Sequence, residues 1–266
     1  MPIRVETVQR IDDAARIVTS SRLARVFGGG TLLMRDVNEA DPSIETLIII
    51  NDPALKEIRS EGDRIVVGAG VTMAQILASR ELAFLAAAAR VIGGPAVRSA
   101  ATIGGNLFAP PPYGEVATAL LALGATVQLA GAGAPMPIED FLRERGPGRV
   151  VRSISVPRLA DPNGLRFRKV TRVKPKGAPV MSIAILLPQA GGREIRVAYG
   201  NMGPTPVRAR AVERALEGQK LDALGIARAL AVATEGLSPP TDSLASTWYR
   251  REVAPVHLRR LLLGEA

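Results

Sequence analysis

The stretch TIGGNLFAPPPYGE, residues 102–115, constrains the chain more than any other. Two adjacent glycines admit conformations and close approaches that side chains forbid. Three consecutive prolines then hold the path extended and without N–H donors. A rigid segment behind a Gly-Gly pair is a backbone shaped to meet something, and one carboxylate, Glu115, closes it.

A second glycine run, FGGGTLL at 27–33, has the same setting: a strand-like approach before it and a short apolar segment after it. Consecutive glycines let successive N–H groups converge on an anion such as pyrophosphate, and Thr31, Thr102 and Asn106 add hydroxyl and amide donors. Either loop alone reads more readily as a plain turn. A third stretch, VVGAGVTM at 66–73, begins like a dinucleotide fingerprint. Met73 stands at the third glycine position and no acid follows about twenty residues on, so it reads as a strand–turn–helix joint.

With no cysteine, the chain has no disulfide, thiolate metal site or iron–sulfur ligation of its own, which suits a reducing cytoplasm. His257 is the only histidine and falls in an expected helix, so a His-based triad or zinc site has little to draw on. No pair of carboxylates stands out. No catalytic residue is therefore expected, and a redox cofactor would supply the missing chemistry. The opening residues lack the apolar core of a secretory signal. The uncharged run 116–138 is broken by glycines, prolines and Gln128, so no membrane span is expected.

Helical spacing marks residues 7–18, through Val8, Ile11, Ala14, Ala15 and Val18, and strands are expected at 25–27, 47–50 and 65–67. Thr72 is placed to cap a helix over 73–80; further helices are expected at 82–93 and 115–124, then strands at 125–130 and 150–157. The stretch 157–164 is the most linker-like, which sets expected domains of 1–160 and 161–266. Strands at 165–173, 180–187 and 194–200 follow, with helices at 207–216, 222–235 and 253–263. The second domain is thus a small α+β unit, a three-stranded antiparallel sheet with helices on one face.

The net charge of +9 lies almost wholly in residues 161–266, where 17 basic side chains face 9 acidic ones, and RFRKVTRVKPK at 166–176 is its densest piece. That piece alternates like a strand and has no aromatic stacking surface. It reads as a docking face for a partner subunit or an anionic cofactor rather than for nucleic acid.

Together these stretches resemble the FAD-binding medium subunit of the molybdenum hydroxylases, the xanthine dehydrogenase and aerobic carbon monoxide dehydrogenase group. GGGTLLM at 28–34 is similar to the first flavin loop, and TIGGN at 102–106 matches the second unchanged. Gly114-Glu115 stands where the family has Gly-Asp, and ALLALGATVQL, FRKVTRV and VAYGNMGPTPVRARAVERALEG continue the likeness over nearly the whole chain. The resemblance implies an α+β fold: a PCMH-like FAD-binding α/β domain of two subdomains, then the small domain. It implies non-covalent FAD, with Phe27, Gly28, Gly29, Gly30, Thr31, Leu32 and Leu33 and Thr102, Ile103, Gly104, Gly105 and Asn106 around the pyrophosphate. Glu115 would lie near the adenosine ribose, Ile92 by the flavin region, Ile154 beside the ring, and Lys169 would reach the cofactor from the second domain. Leu32 departs from the polar residue usual there. The implied role is electron transfer between an iron–sulfur small subunit, a molybdenum large subunit and an external acceptor; those metal centres would belong to the partners. A stand-alone flavin oxidoreductase and a module without flavin remain alternatives.

Overall fold

The computed structural model describes residues 3–173, 177–189 and 194–265; Lys174 and Lys176 of the basic stretch lie outside them. The first layer is a parallel sheet in which β3 (Thr46–Ile50) lies between β1 (Arg4–Val8) and β2 (Ala24–Phe27). Helix α1 (Ile11–Ser20) packs Ile11, Ala14 and Val18 against Ile48. The expected helix at 7–18 thus starts later. Thr7 and Val8 belong to β1, whose ladder to β3 outweighs a helical spacing that two residues could equally satisfy. A short helix α2 (Leu33–Asn38) leaves the β2 turn.

Next comes an antiparallel five-stranded sheet in the order β4 (Ile58–Glu61), β5 (Arg64–Gly68), β8 (Val151–Pro157), β6 (Thr126–Leu129), β7 (Met136–Pro137). The stretch at 66–73 is a strand–turn–helix joint, and Thr72 forms a capping box with Gln75 at the start of α3 (Met73–Ala78). The expected helix at 82–93 is only one 3₁₀ turn and α4 (Ala86–Arg90), because Gly93 at φ +46° ends it. Then follow α5 (Pro95–Ala100), α6 (Ile103–Leu107), α7 (Glu115–Leu123) and α8 (Ile138–Glu144).

The last sheet is antiparallel: β9 (Leu165–Thr171), β10 (Pro179–Leu186) and β11 (Arg196–Gly200), as expected, with a two-residue edge strand β12 (Val207–Arg208) beside β11. That strand takes the start of the helix expected at 207–216, leaving α9 (Arg210–Leu216). The 222–235 pattern yields only α10 (Ala227–Ala231). Helix α11 (Thr247–Leu263) is longer than expected and holds the half-buried His257. Every residue of β10 is buried, because α7 covers one face and α11 the other. α7 is buried along its whole length, which explains why its sequence is apolar all round.

Two arginine clusters fasten this domain. Arg250, fully buried, donates through Nε to the Val180 carbonyl (3.0 Å) and through Nη2 to both carboxylate oxygens of Asp242 (2.9 Å each). Arg166 and Arg168 of β9 donate to the carbonyls of Leu261, Leu262 and Glu265, where α11 ends with unsatisfied acceptors.

Candidate functional site

A cleft of about 700 Å³ opens where the β2–α2 turn, the α5–α6 corner and the segment before α7 converge. All the cofactor residues singled out from the sequence line it except Ile103 and Ile154. Those two are fully buried in the central core, so they support the wall from behind; Val151 is the β8 residue that faces the cleft.

The first glycine run makes the cradle. A Cβ on Gly29 would run into the Ala100 carbonyl, and one on Gly28 would come within 2.9 Å of Thr102 Oγ1. The run therefore lies directly on the α5–α6 corner, at a distance only glycine permits. Among the described residues, the amides of Gly28, Gly29, Gly30 and Thr31 donate to no protein acceptor. Successive free amides on a cleft wall are suited to an anion.

The second glycine motif does something different from what its sequence suggests. Thr102–Asn106 is not a loop: Thr102 is the N-cap of α6, its hydroxyl accepting from Gly105 N at 3.0 Å. Three more of its amides are also used within the protein. Ile103 N donates to Val71 O (2.8 Å), Gly104 N to Ala69 O (2.9 Å) and Asn106 N to Thr102 O (3.0 Å). Among the described residues, Thr102 N is the one amide of this motif without a protein acceptor. Its glycines give a wall without side chains, and a Cβ on Gly104 would sit 2.8 Å from both Cβ and O of Ala69. Asn106 turns its carbonyl to Ala117 N at 2.9 Å, tying α6 to α7.

Glu115 opens α7 just after Gly114, whose φ of +108° lets the proline segment turn into the helix. Its Oε1 lies 2.9 Å from Lys169 Nζ, and its Oε2 accepts from Gly114 N at 3.2 Å. Lys169 also donates to Val91 O at 3.2 Å, so one ammonium joins β9 to both α7 and the end of α4.

Arg25, Arg35, Lys56 and Arg149 bring further positive charge to the wall, against Asp36 and Asp52. Asp52 is engaged in accepting from Ala54 N and Ile11 N. Sequence reasoning missed Arg35, Phe108, Tyr113 and the 146–150 wall; the Gly-Pro-Gly turn at 146–148 was the one available signal for the last. Among the described residues, no group of three or more His, Asp or Glu could hold a metal ion, and no helix is long and apolar enough to cross a membrane.

Residues 1–159 match the model of the FAD-binding domain in molybdopterin dehydrogenase, and residues 178–264 that of the carbon monoxide dehydrogenase flavoprotein C-terminal domain. The chain belongs to the FAD-binding medium-subunit family of the molybdenum hydroxylases. It is 26% identical to the glyceraldehyde dehydrogenase medium chain of Sulfolobus acidocaldarius, covering 96% of this chain and 94% of that one. It is 27% identical to the carbon monoxide dehydrogenase medium chain of Afipia carboxidovorans, over 94% and 92% respectively. The carbon monoxide dehydrogenase structure from Hydrogenophaga pseudoflava superposes with a TM-score of 0.89 at 25% identity, covering 98% of this chain and 96% of that chain. This medium subunit is thus an oxidoreductase flavoprotein whose cofactor is FAD. The cleft suits that group: its volume falls within the range of small-molecule sites, about 300–1,000 Å³, and its free amides and cations match a diphosphate.

Proposed function

We propose that this medium subunit carries electrons within a heteromeric molybdenum-containing hydroxylase or dehydrogenase. Electrons would come from iron–sulfur clusters of a small partner subunit and leave to an external acceptor, while a large partner holds the molybdenum cofactor and the organic substrate. The observation that carries this reading is the unpaired amide run Gly28–Thr31 in a cleft lined with cations, in a chain with no cysteine to ligate a cluster.

FAD, when bound, supplies two-electron storage with release in single steps. The residues of the chain bind and orient it. The amides of Gly28–Thr31 hold the diphosphate, with Phe27, Leu32 and Leu33 flanking it. The bare wall at Gly104 and Gly105 lets it approach closely, and Thr31 and the Nδ2 of Asn106 add donors. Ile92 gives an apolar contact with Ile154 and Ile103 packed behind the wall. Lys169 and Glu115 present a paired charge rather than a free carboxylate. Binding is non-covalent, since the one histidine, His257, does not line the cleft and no cysteine exists. The same proposal sets the domain boundary near residue 160, supported by a family match that stops at 159, and a cytoplasmic setting, in keeping with the cysteine-free composition.

The test is anaerobic reduction by the complex's organic substrate. Flavin absorbance should bleach when the chain is assembled with both partners and stay unchanged in the isolated chain. Direct bleaching of the isolated chain would instead mark a stand-alone flavoprotein.

A further inference from the structure

The turn that closes α4 lies between two cations. Arg98, half-buried on α5, places its Nη1 2.7 Å from Gly93 O and 3.3 Å from both Ile92 O and Arg90 O. The one carbonyl it leaves, Val91 O, accepts from Lys169 at 3.2 Å. Four successive carbonyls, Arg90 to Gly93, thus all face side-chain cations at a helix end, where backbone acceptors lack partners. The two cations differ in one respect. Lys169 lines the cleft, as do Ile92 and Gly93, whereas Arg98 does not.

The amides of the same turn are used unequally. Ile92 N returns to Ala89 O at 3.2 Å, as at an ordinary helix end. Among the described residues, the next amide, Gly93 N, donates to no protein acceptor. A trans peptide points its C=O and its N–H in opposite directions. Arg98 therefore orients the Gly93 N–H as well: by holding Ile92 O behind the wall, it turns the N–H of that same peptide toward the cleft. Gly93 has no side chain to cover this amide, and at its φ of +46° a Cβ would press to 2.6 Å from Val97 Cβ.

We infer that the Gly93 N–H is a further hydrogen-bond donor to FAD, separate from the Gly28–Thr31 cradle, and that Arg98 is the residue that positions it. This inference rests on the cofactor reading above. Phosphates, ribose, adenine and isoalloxazine all carry oxygen or ring-nitrogen acceptors, so the donor has a partner whichever way FAD runs along the cleft. Arg98 itself stays behind the wall and acts through the peptide it holds.

The test reads amide hydrogen exchange by NMR in the full chain carrying isotope-labelled glycine, with and without FAD, alongside FAD dissociation constants. FAD should slow exchange at Gly93 by about tenfold or more, as it should at Gly28, Gly29 and Gly30. The same measurement with ADP alone and with FMN alone tells which half of the cofactor carries the acceptor. Arg98→Met should weaken FAD by about tenfold, the worth of one hydrogen bond, and should abolish the slowing at Gly93 while leaving it at Gly28–Gly30. Arg98→Lys keeps a cation behind the wall and should recover part of both. Exchange at Gly93 that FAD leaves unchanged, with Gly28–Gly30 slowed, would overturn the inference by placing this amide in bulk solvent. Parental slowing at Gly93 in Arg98→Met would overturn the part given to Arg98. So would equal loss at Gly93 and in the cradle, which would mark Arg98 as a general support of the fold. A parent chain in which FAD slows none of these amides would instead defeat the cofactor reading itself.

Discussion

Lys169 Nζ lies 2.9 Å from Glu115 Oε1, with both side chains less than a tenth exposed. One residue comes from β9 in the C-terminal sheet and the other from the first turn of α7, so the ion pair crosses from one part of the chain to the other. The Val91 carbonyl takes a second bond from the same ammonium. A family position usually held by aspartate here carries the longer glutamate, and its carboxylate is occupied by the lysine and by Gly114 N rather than left open. Removing one partner of a buried pair leaves the other charge uncompensated. Lys169→Met should therefore lower unfolding free energy by about 3–5 kcal/mol, while Lys169→Met combined with Glu115→Gln should recover much of it. Denaturant titration of the single and double variants checks this; a Lys169→Met variant as stable as the parent would mean that the pair does not hold the two parts together.

The glycines of 102–106 separate into two kinds. A Cβ on Gly104 would sit 2.8 Å from the backbone oxygen of Ala69, in a buried position, whereas one on Gly105 would meet only Thr102 Oγ1 at 3.0 Å and is otherwise exposed. Gly104→Ala should lower the melting temperature by forcing α6 away from the β5–α3 joint. Gly105→Ala should stay within about 1 kcal/mol of parental stability but bind FAD measurably more weakly. Thermal melts together with flavin titration distinguish the two. Equal behaviour in both would show that the bare wall has no separate role.

Much of this was legible from residue patterns. Thr72 declared its helix through a capping box, and the apolar runs before each glycine turn are strands. Alternation marked β9, and strand patterns were also read where β10 and β11 lie. What the sequence could not convey was set by tertiary packing. TIGGN reads as a loop because glycine disfavours helices, yet Thr102 capping and the contact with Ala69 hold it helical. Residues 7–8 satisfied a helical spacing but were taken by a strand ladder. Arg35 had no motif, and the stretch that holds Tyr113 gave no sign of their contact, since it depends on where α2 and the proline segment end up.

In the described part of the basic stretch, residues 166–173, the basic side chains differ in their contacts. Arg166 and Arg168 satisfy the last carbonyls of α11, and Lys169 is held by Glu115. Arg172 is exposed, with one long contact of 3.5 Å to Leu244 O, and is the described residue free to steer a partner. Arg172→Glu should slow association with the small and large subunits at low salt while leaving FAD content intact, and the difference should shrink as salt rises. Stopped-flow mixing at two ionic strengths reads this. Parental rates in Arg172→Glu would remove β9 from the docking surface.

Acid should weaken the C-terminal domain at Asp242. Burial raises its pKa, but hydrogen bonds from Arg250 and from the Leu244 and Ala245 amides outweigh this, and the net shift is downward from 3.8. A carboxylate with a lowered folded pKa contributes stability that is complete above its ordinary range and lost as pH falls through the folded value. The parent should therefore lose stability below pH 3.8. Asp242→Asn should be less stable at neutral pH and show a shallower decline in that window. Urea unfolding across the acid range tests it, and identical slopes would mean that Asp242 does not govern the acid limb.

The central claim is that the cleft binds FAD without a covalent bond. The most direct measurement is acid precipitation of the purified full chain, followed by chromatography of the supernatant and pellet. The account predicts a yellow supernatant containing FAD near equimolar with the chain and a colourless pellet. Flavin retained on the precipitated chain, or a chain that cannot take up FAD when it is added back, would contradict it.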